Sequence, residues 1–325
     1  MLKDPILLND WHVVARSSDI GPGTVRSARL LGEDLVLWHD GQSIRAWLDR
    51  CRHRGAKLSI GRCQAGRLTC AYHGWCYDGT GACVLVPAHD AIPEGARVHA
   101  HPVRLRYGLV WVCLGTPAHE VPLFPEWDAP GFRTVSAGPY RFRALGTRVL
   151  ENFLDVGHYP FVHGGFTGDP EHLRVGDYQV EEGDPGPVAR DIGVRRVWRP
   201  GPGGTGEVDV RYTYRALRPL TGSFTKEYSG ECFAMFDTVT PVDLAESLVW
   251  TLMAVNYETG STDRDLIGYQ DEVTSQDVPI VESQSPGPLP LGPDAEAHVP
   301  SDRMSVAYRR WLRKLGLVYG TLPWP

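Results

Sequence analysis

Cys51-Arg-His53-Arg-Gly55 and Cys70-Ala-Tyr-His73-Gly74-Trp75 decide how this chain is read. Each segment pairs one cysteine with one histidine across a gap of one or two residues and then reaches a glycine, and sixteen residues separate His53 from Cys70. Tetrahedral zinc accepts two thiolates and two imidazoles, but zinc fingers and knuckles rarely give every Cys its own His over so short a gap. A [2Fe–2S] centre in which two imidazoles replace two thiolates needs this set, two sulfurs for one iron and two nitrogens for the other. Cys51, His53, Cys70 and His73 are therefore the expected cluster ligands, with a structural zinc site as the rival.

A cluster alone carries electrons, and a second stretch offers a destination for them. Glu151-Asn152-Phe-Leu-Asp155-Val-Gly-His158-Tyr-Pro160-Phe-Val-His163 holds two more histidines. Two neutral imidazoles and one carboxylate on one side of an iron leave positions open for oxygen and substrate. Asn152, Asp155 and His158 are spaced by three and share a face on a helix. Pro160 predicts a break or kink between the two histidines; on a straight helix His163 would point ~140° away from His158. One histidine on an apolar segment is ordinarily a hydrogen-bonded core residue, and it is the pair beside Asp155 that favours a metal site. For the carboxylate, helical spacing leaves Asp271, Glu272, Asp277 and Glu282 all open.

The text Cys-Arg-His-Arg-Gly … Cys-Ala-Tyr-His-Gly-Trp resembles the Rieske ferredoxin signature. With the second histidine pair, nearly the whole chain resembles the catalytic α subunit of a Rieske non-haem iron oxygenase, of the short homo-oligomeric kind that includes O- and N-demethylases. Trp11, the turn around Gly32 and the ending Asp302-Arg-Met-Ser-Val-Ala-Tyr-Arg-Arg-Trp-Leu are also similar to that group. The resemblance implies Asp277 as the carboxylate, because Asp277-x-x-x-x-Glu282-x-Gln284 matches the family pattern, so that His158, His163 and Asp277 hold mononuclear Fe(II). Asp155 and Asn152 are the implied catalytic side chains, Asp155 linking His158 to a cluster histidine of a neighbouring subunit. Also implied are O2 as co-substrate, NAD(P)H used indirectly through a ferredoxin and/or flavin reductase, and a homotrimer or dimer of trimers. The implied reaction is monooxygenation, by hydroxylation or oxidative demethylation, of a small cyclic or aromatic molecule. Two alternatives stand beside it: cis-dihydroxylation of an aromatic ring, and a Rieske electron carrier without a working mononuclear site.

Composition agrees with that class. At 325 residues the chain has room for two domains. Its 42% hydrophobic and 22% charged residues are those of a globular protein. A formal net charge of −6 gives no reason to expect nucleic acid or an anionic membrane as partner. No apolar run of about eighteen residues predicts a membrane span, and acid and proline stand where a signal peptide would be apolar, so the cytoplasm is the expected compartment. Of seven cysteines, Cys63, Cys76, Cys83, Cys113 and Cys232 remain after the cluster. Their odd number and scatter argue against a disulfide framework. Cys76 and Cys83 bracket a turn and are expected as two reduced thiols, with a cluster-covering disulfide as the alternative. Arg52, Arg54, Lys57, Arg62 and Arg67 gather around the first motif in an acidic chain, either as ordinary solvated side chains or as a docking face for an acidic electron donor.

Along the chain, residues 1–118 read as short β-strands with both cluster motifs on hairpin tips, and Pro117, Pro122 and Pro125 mark a boundary. Residues 119–325 read as the catalytic domain, an antiparallel sheet with helices. The fold class expected is α+β: an N-terminal all-β Rieske [2Fe–2S] domain followed by a helix-grip-like catalytic domain. Residues 201–206, rich in Gly and Pro, lack the Lys-Ser/Thr ending of a phosphate loop and read as a hairpin tip. Flavin and nicotinamide are thus assigned to another protein. Residues 285–293 read as an irregular proline-rich crossing.

Overall fold

The computed structural model describes residues 3–164, 166, 171–198, 207–292 and 294–323, and residues 201–206 lie outside these. The chain divides into two units, Met1–Val121 and Pro122–Pro325.

The first unit opens with a one-turn helix, α1 (Pro5–Leu8), capped by the Asp4 carboxylate. Its strands are β1 (His12–Arg16), β2 (Val25–Leu30), β3 (Glu33–His39), β4 (Ile44–Leu48), β5 (Arg62–Gln64), β6 (Arg67–Thr69), β7 (Cys76–Tyr77), β8 (Cys83–Leu85), β9 (Ala100–His101), β10 (Val103–Arg106) and β11 (Leu109–Val112). They form three small antiparallel sheets, ordered β1-β11-β10, β2-β3-β4-β9 and β5-β6-β7-β8. Trp38 on β3 and Trp47 on β4 are both fully buried, and their rings meet edge to face at 4.7 Å. Leu58, Leu68, Tyr77, Cys51 and Cys70 share this core. The Cys70–Gly74 segment is a hairpin tip between β6 and β7, as expected. The Cys51 loop is not: it connects β4 to β5, which belong to different sheets, so its shape is set by two sheets instead of one ladder. Across the next turn Cys83 stands opposite Tyr77, while Cys76 stands opposite Leu85, and both thiols are free and buried.

The second unit is built on a seven-stranded antiparallel sheet. A short helix, α2 (Pro125–Asp128), precedes β12 (Arg133–Phe142); β13 (Gln179–Glu181), β14 (Val188–Val197), β15 (Glu207–Arg218), β16 (Thr221–Tyr228), β17 (Glu231–Pro241) and β18 (Ser247–Val255) complete it in the order β12-β18-β17-β16-β15-β14-β13. The helices are α3 (Gly146–Leu154), α4 (Tyr159–Val162), α5 (Asp263–Ser283) and α6 (Arg303–Leu315). A capping box starts α5: Thr262 Oγ1 accepts from the Asp265 amide while the Asp265 carboxylate accepts from the Thr262 amide. The long α5 packs on β12 and α3 packs on β17, so the helices grip the sheet. Buried charges fasten α3: Arg148 pairs with Glu151 and Glu296, and Arg309 of α6 pairs with the same two carboxylates. Within residues 285–293, expected to be irregular, Leu289–Pro290 forms one short parallel pairing with Thr321–Leu322.

The helix break falls earlier than expected. α3 ends at Leu154 and Asp155 is its extended C-cap, so the chain leaves the helix before His158. Pro160 sits in the first turn of α4, where its missing N–H would have no intrahelical partner anyway. Proline thus starts a new helix between the histidines instead of breaking an old one.

Candidate active site

Two sets of side chains have the donors to hold metals, one in each unit. In the first, the loop carbonyls of Cys51 and Cys70 accept from the amides of Gly55 and Gly74, at 3.0 and 3.1 Å. Both glycines lie in the left-handed region, with φ of 72° and 68°, where a β-carbon would be strained. These two equivalent turns drop the thiols into the core and send the imidazoles outward. Cys51 and Cys70 are 3% and 2% exposed; His53 is half-buried and His73 exposed. The facing Nδ1 atoms of His53 and His73 stand 3.1 Å apart, and His53 stacks on Trp75 at 4.6 Å. Two sulfurs within and two nitrogens without is the donor division a cluster with two unlike irons requires. Burial raises the Cys70 thiol, and desolvation with neighbouring His73 and Arg54 lowers the His53 imidazolium. The Tyr77 hydroxyl lies 3.1 Å from Cys51 Sγ and accepts from the Arg52 amide at 3.2 Å. Burial, and then the Cys51 sulfur, push that phenol upward, which keeps it a donor.

In the second unit the structure brings His158, His163 and Asp277 together, with one ligand atom of each within 4.8 Å of the others. The Asp277 carboxylate lies 3.6 Å from His158 Nε2 and 3.3 Å from His163 Nε2. Of the four carboxylates that spacing left open on α5, Asp277 is the one that reaches this point; Asp271 accepts from the Tyr140 hydroxyl and Glu282 from the Arg143 amide. The far nitrogen of each imidazole is held. His158 Nδ1 is 3.2 Å from Asp155 Oδ2, and His163 Nδ1 is 2.8 Å from Gln276 Oε1. Gln276 is itself steadied by donating to Glu272 at 3.2 Å. Pinning the outer nitrogen fixes the tautomer and aims the inner one, so this donor set fits a divalent iron. Burial would raise the Asp155 carboxyl, but hydrogen bonds from His158 and the Gly157 amide outweigh it and leave the group lowered. Asn152 Nδ2 points to Asp277 Oδ1 at 3.4 Å.

The triad opens into a pocket with aromatic and apolar walls, among them Phe153, Phe224, Phe233 and Met235. Phe153 and Phe233 belong to this wall, whereas Phe161, between the two histidines, is 71% exposed. Phe166 stacks on Tyr269 at 4.6 Å, and Trp250 donates to Thr240. Four buried polar side chains in the lining, Lys226, Asp237, Gln270 and Thr274, escaped sequence reasoning, as did Gln276 and Tyr77. An Asp inside the run Phe233-Ala-Met-Phe-Asp237-Thr-Val was the available signal for one of them.

Sulfur–nitrogen loops on small β-sheets, followed by a two-histidine, one-carboxylate pocket under a helix-gripped sheet, define the class of two-centre iron oxygenases. The comparisons with known proteins are specific. Residues 10–99 match the Rieske [2Fe-2S] domain, and residues 142–317 match the vanillate O-demethylase oxygenase C-terminal domain. Methylxanthine N1-demethylase NdmA of Pseudomonas putida is 33% identical, over 94% of this chain and 88% of its own length. Methylxanthine N3-demethylase NdmB of the same organism is 32% identical, over 98% and 92%. The structure of NdmA superposes with a TM-score of 0.79 at 31% identity, covering 95% of this chain and 91% of that one. Oxidoreductase NdmD, also of P. putida, is 44% identical over 35% of this chain and 20% of its own length. The chain belongs to the Rieske non-haem iron oxygenases, and within them it is an oxygenase of the monooxygenase/demethylase type. Its cofactors are a Rieske [2Fe–2S] cluster and non-haem iron, its co-substrate is O2, and its electrons come from a partner reductase.

Proposed function

We propose that this enzyme removes an N- or O-linked methyl group from a small cyclic molecule, as formaldehyde. The observation that carries this reading is the convergence of His158 Nε2, His163 Nε2 and Asp277 beneath an apolar-walled pocket, with both outer imidazole nitrogens pinned. Relatives named as methylxanthine demethylases favour methyl removal over ring dihydroxylation. In this assignment Cys51 and Cys70 hold one cluster iron and His53 and His73 the other, within a domain spanning 1–118, while 119–325 forms the catalytic domain. His158, His163 and Asp277 hold the mononuclear iron. Bound there, that iron supplies oxygen activation with electrons arriving singly through the cluster.

The chain's own residues set the rest. Phe153, Phe224 and Met235 exclude water and present the methyl group to the triad. Asn152 orients Asp277, and Asp155 orients His158 and holds the proton on its Nδ1. Hydroxylation of a methyl carbon bonded to nitrogen or oxygen leaves a hemiaminal or hemiacetal, which collapses to formaldehyde and the freed N–H or O–H. The balance is R–X–CH3 + O2 + 2 electrons + 2 protons giving R–XH + HCHO + H2O.

Copies of the chain form a homotrimer in this reading, with each cluster serving the neighbour's Asp155. Exposed Tyr72 beside His73, and exposed Phe161 between the two iron-ligand histidines, are large apolar groups that such a ring would cover. Arg52, Arg54, Arg62 and Arg67 are exposed, and Lys57 pairs with Asp34 at 3.1 Å. The arginines form the docking face for an acidic ferredoxin or reductase domain, so reduction is expected to slow as salt rises; a flat salt response would remove this face from the scheme. The described helices include none long and apolar enough to cross a membrane. With all seven cysteines free, a cytoplasmic location is part of the proposal.

Iron and acid-labile sulfide counts, with EPR after dithionite reduction, test the two centres. About three irons and two sulfides per chain with a Rieske signal are expected. About two of each after added ferrous iron, or zinc without sulfide, would reject the assignment. Formaldehyde released from methylated rings in the presence of a reductase tests the reaction.

A further inference from the structure

Asp237 is a buried acid with half of its hydrogen-bonding capacity uncommitted. It lies on β17, 8% exposed, in the lining of the pocket above the triad. One oxygen accepts from Thr251 Oγ1 at 2.6 Å, across the β17–β18 ladder. Among the described residues no Lys, Arg or His nitrogen pairs with it, and no second donor reaches it. Its neighbour across the other ladder is Gly222, a position with no side chain of its own. A β-carbon at Gly222 would meet the Phe153 ring at 3.1 Å, so that ring already covers the space beside Asp237. A carboxyl taken out of water with one bond costs stability that an apolar residue here would not. Sites that tolerate such a cost are ordinarily those where a ligand completes the bonding.

We propose that Asp237 is a specificity-determining residue that accepts a hydrogen bond from a ring N–H or O–H of the substrate, selecting donor-bearing neutral rings over rings that carry a carboxylate. The inference rests on the reading of this pocket as the substrate site and names the class of molecule it takes. A substrate carboxylate beside Asp237 would bring a second acidic group into a poorly hydrated space that offers it no donor. Burial raises the Asp237 carboxyl, against the lowering effect of the Thr251 hydrogen bond, consistent with a group kept from water. The pocket's one buried ammonium, Lys226, is directed elsewhere. It stands opposite Phe233 on the ladder, four residues along β16 from Gly222, or ~13 Å at strand rise. Its Nζ donates to the Trp198 carbonyl at 3.1 Å and lies 5.3 Å from the Trp198 ring centre.

The test is anaerobic calorimetry on the metal-loaded protein with matched probes. Theobromine keeps one ring N–H that caffeine has methylated; 2-methoxyphenol keeps the O–H that 1,2-dimethoxybenzene has lost; 4-methoxybenzoate brings a carboxylate. The donor-bearing member of at least one pair is expected to bind about tenfold or more tightly than its blocked twin, and methoxybenzoate most weakly. Asp237→Leu should erase that preference, and Asp237→Asn, which keeps the shape and the Thr251 bond, should reduce it and relieve the penalty on methoxybenzoate. Equal binding within both pairs, tightest binding of methoxybenzoate, no binding of any donor-bearing probe, or a preference that survives in both variants would overturn the proposal. Iron and sulfide are counted on the same samples. A count short of about three irons rejects the two-centre assignment, while the binding preference still decides Asp237.

Discussion

The two proposed metal centres are built on opposite plans. At the cluster site the ligands are near neighbours in sequence, on two glycine-ended turns, and they face different ways: sulfurs into the core, imidazoles to the surface. At the mononuclear site two ligands flank a one-turn helix and the third arrives on α5, far along the chain, and all three turn inward to one pocket. An electron-transfer centre works through an exposed edge. A centre that activates oxygen needs enclosure and open coordination positions, which a fold supplies only by closing distant segments over one another. Local spacing can make the first kind of site; tertiary packing must make the second.

The largest effect is expected from the ligand that only packing supplies. Asp277→Ala should abolish formaldehyde release and bring iron from about three to about two per chain, with sulfide and the Rieske EPR signal unchanged. Loss of sulfide as well would show that the two centres are not independently built. Asp155→Asn comes next: both metals should stay bound while turnover falls by about 100-fold, because the variant no longer holds the His158 proton as a charged acceptor. Near-normal turnover in a fully metallated Asp155→Asn protein would remove that residue from the electron path.

A smaller effect separates orientation from ligation. Gln276→Leu removes the acceptor 2.8 Å from His163 Nδ1 and should weaken Fe(II) binding about tenfold, measured by competition with a chelator, without changing the cluster potential. Rescue by Gln276→Glu would support an orienting role. The mirror experiment is Tyr77→Phe. Loss of the hydroxyl 3.1 Å from Cys51 Sγ should lower the cluster potential by an amount on the order of tens of mV, since the bond favours the electron-rich reduced state. Fe(II) affinity at the triad should not move.

Least is expected from acid. Burial would raise Glu296, but hydrogen bonds from Arg148 and Arg309 outweigh it and hold the group to about 2. Its contribution is therefore fully present above the ordinary carboxyl range and is lost as pH falls through about 2. Glu296→Gln should flatten the acid end of the unfolding curve, and it should loosen α3, and so the triad, before the cluster absorption bleaches. Simultaneous loss of both signals would mean that the buried charges on α3 serve the whole chain.

This difference in plan also explains what could be read from sequence. The four proposed cluster ligands, and a histidine pair five residues apart, are local patterns, and spacing alone singles out Cys51, His53, Cys70, His73, His158 and His163 as candidates. Asp277 was not separable from Asp271, Glu272 and Glu282 by periodicity, because several carboxylates ride on α5 and only the packing of that helix selects one. The break before His158 was hidden for a related reason. Asp155, Val156 and Gly157 carry no strong stop, whereas Pro160 looks like one until its position in a new first turn is known. The Cys51 loop was mistaken for a hairpin tip because strands of different sheets read like strands of one sheet. Tyr77, Asp237 and Gln276 act across ladders or helix turns, and nothing in their immediate sequence names the partner.

Placing the two sulfurs inside the Trp38–Trp47 core has a consequence for how the enzyme is made. On the proposed ligand assignment Cys51 and Cys70 hold the cluster from within the packing of the first unit, and insertion of iron and sulfide would then be a step in maturation of the fold and not a finishing touch. In iron-starved cells the shortfall should show as less folded enzyme recovered, more than as a full yield of enzyme with lower specific activity. Supply of the inorganic part would then govern abundance, so that the cell's iron status would set the amount of this protein before it ever met a substrate.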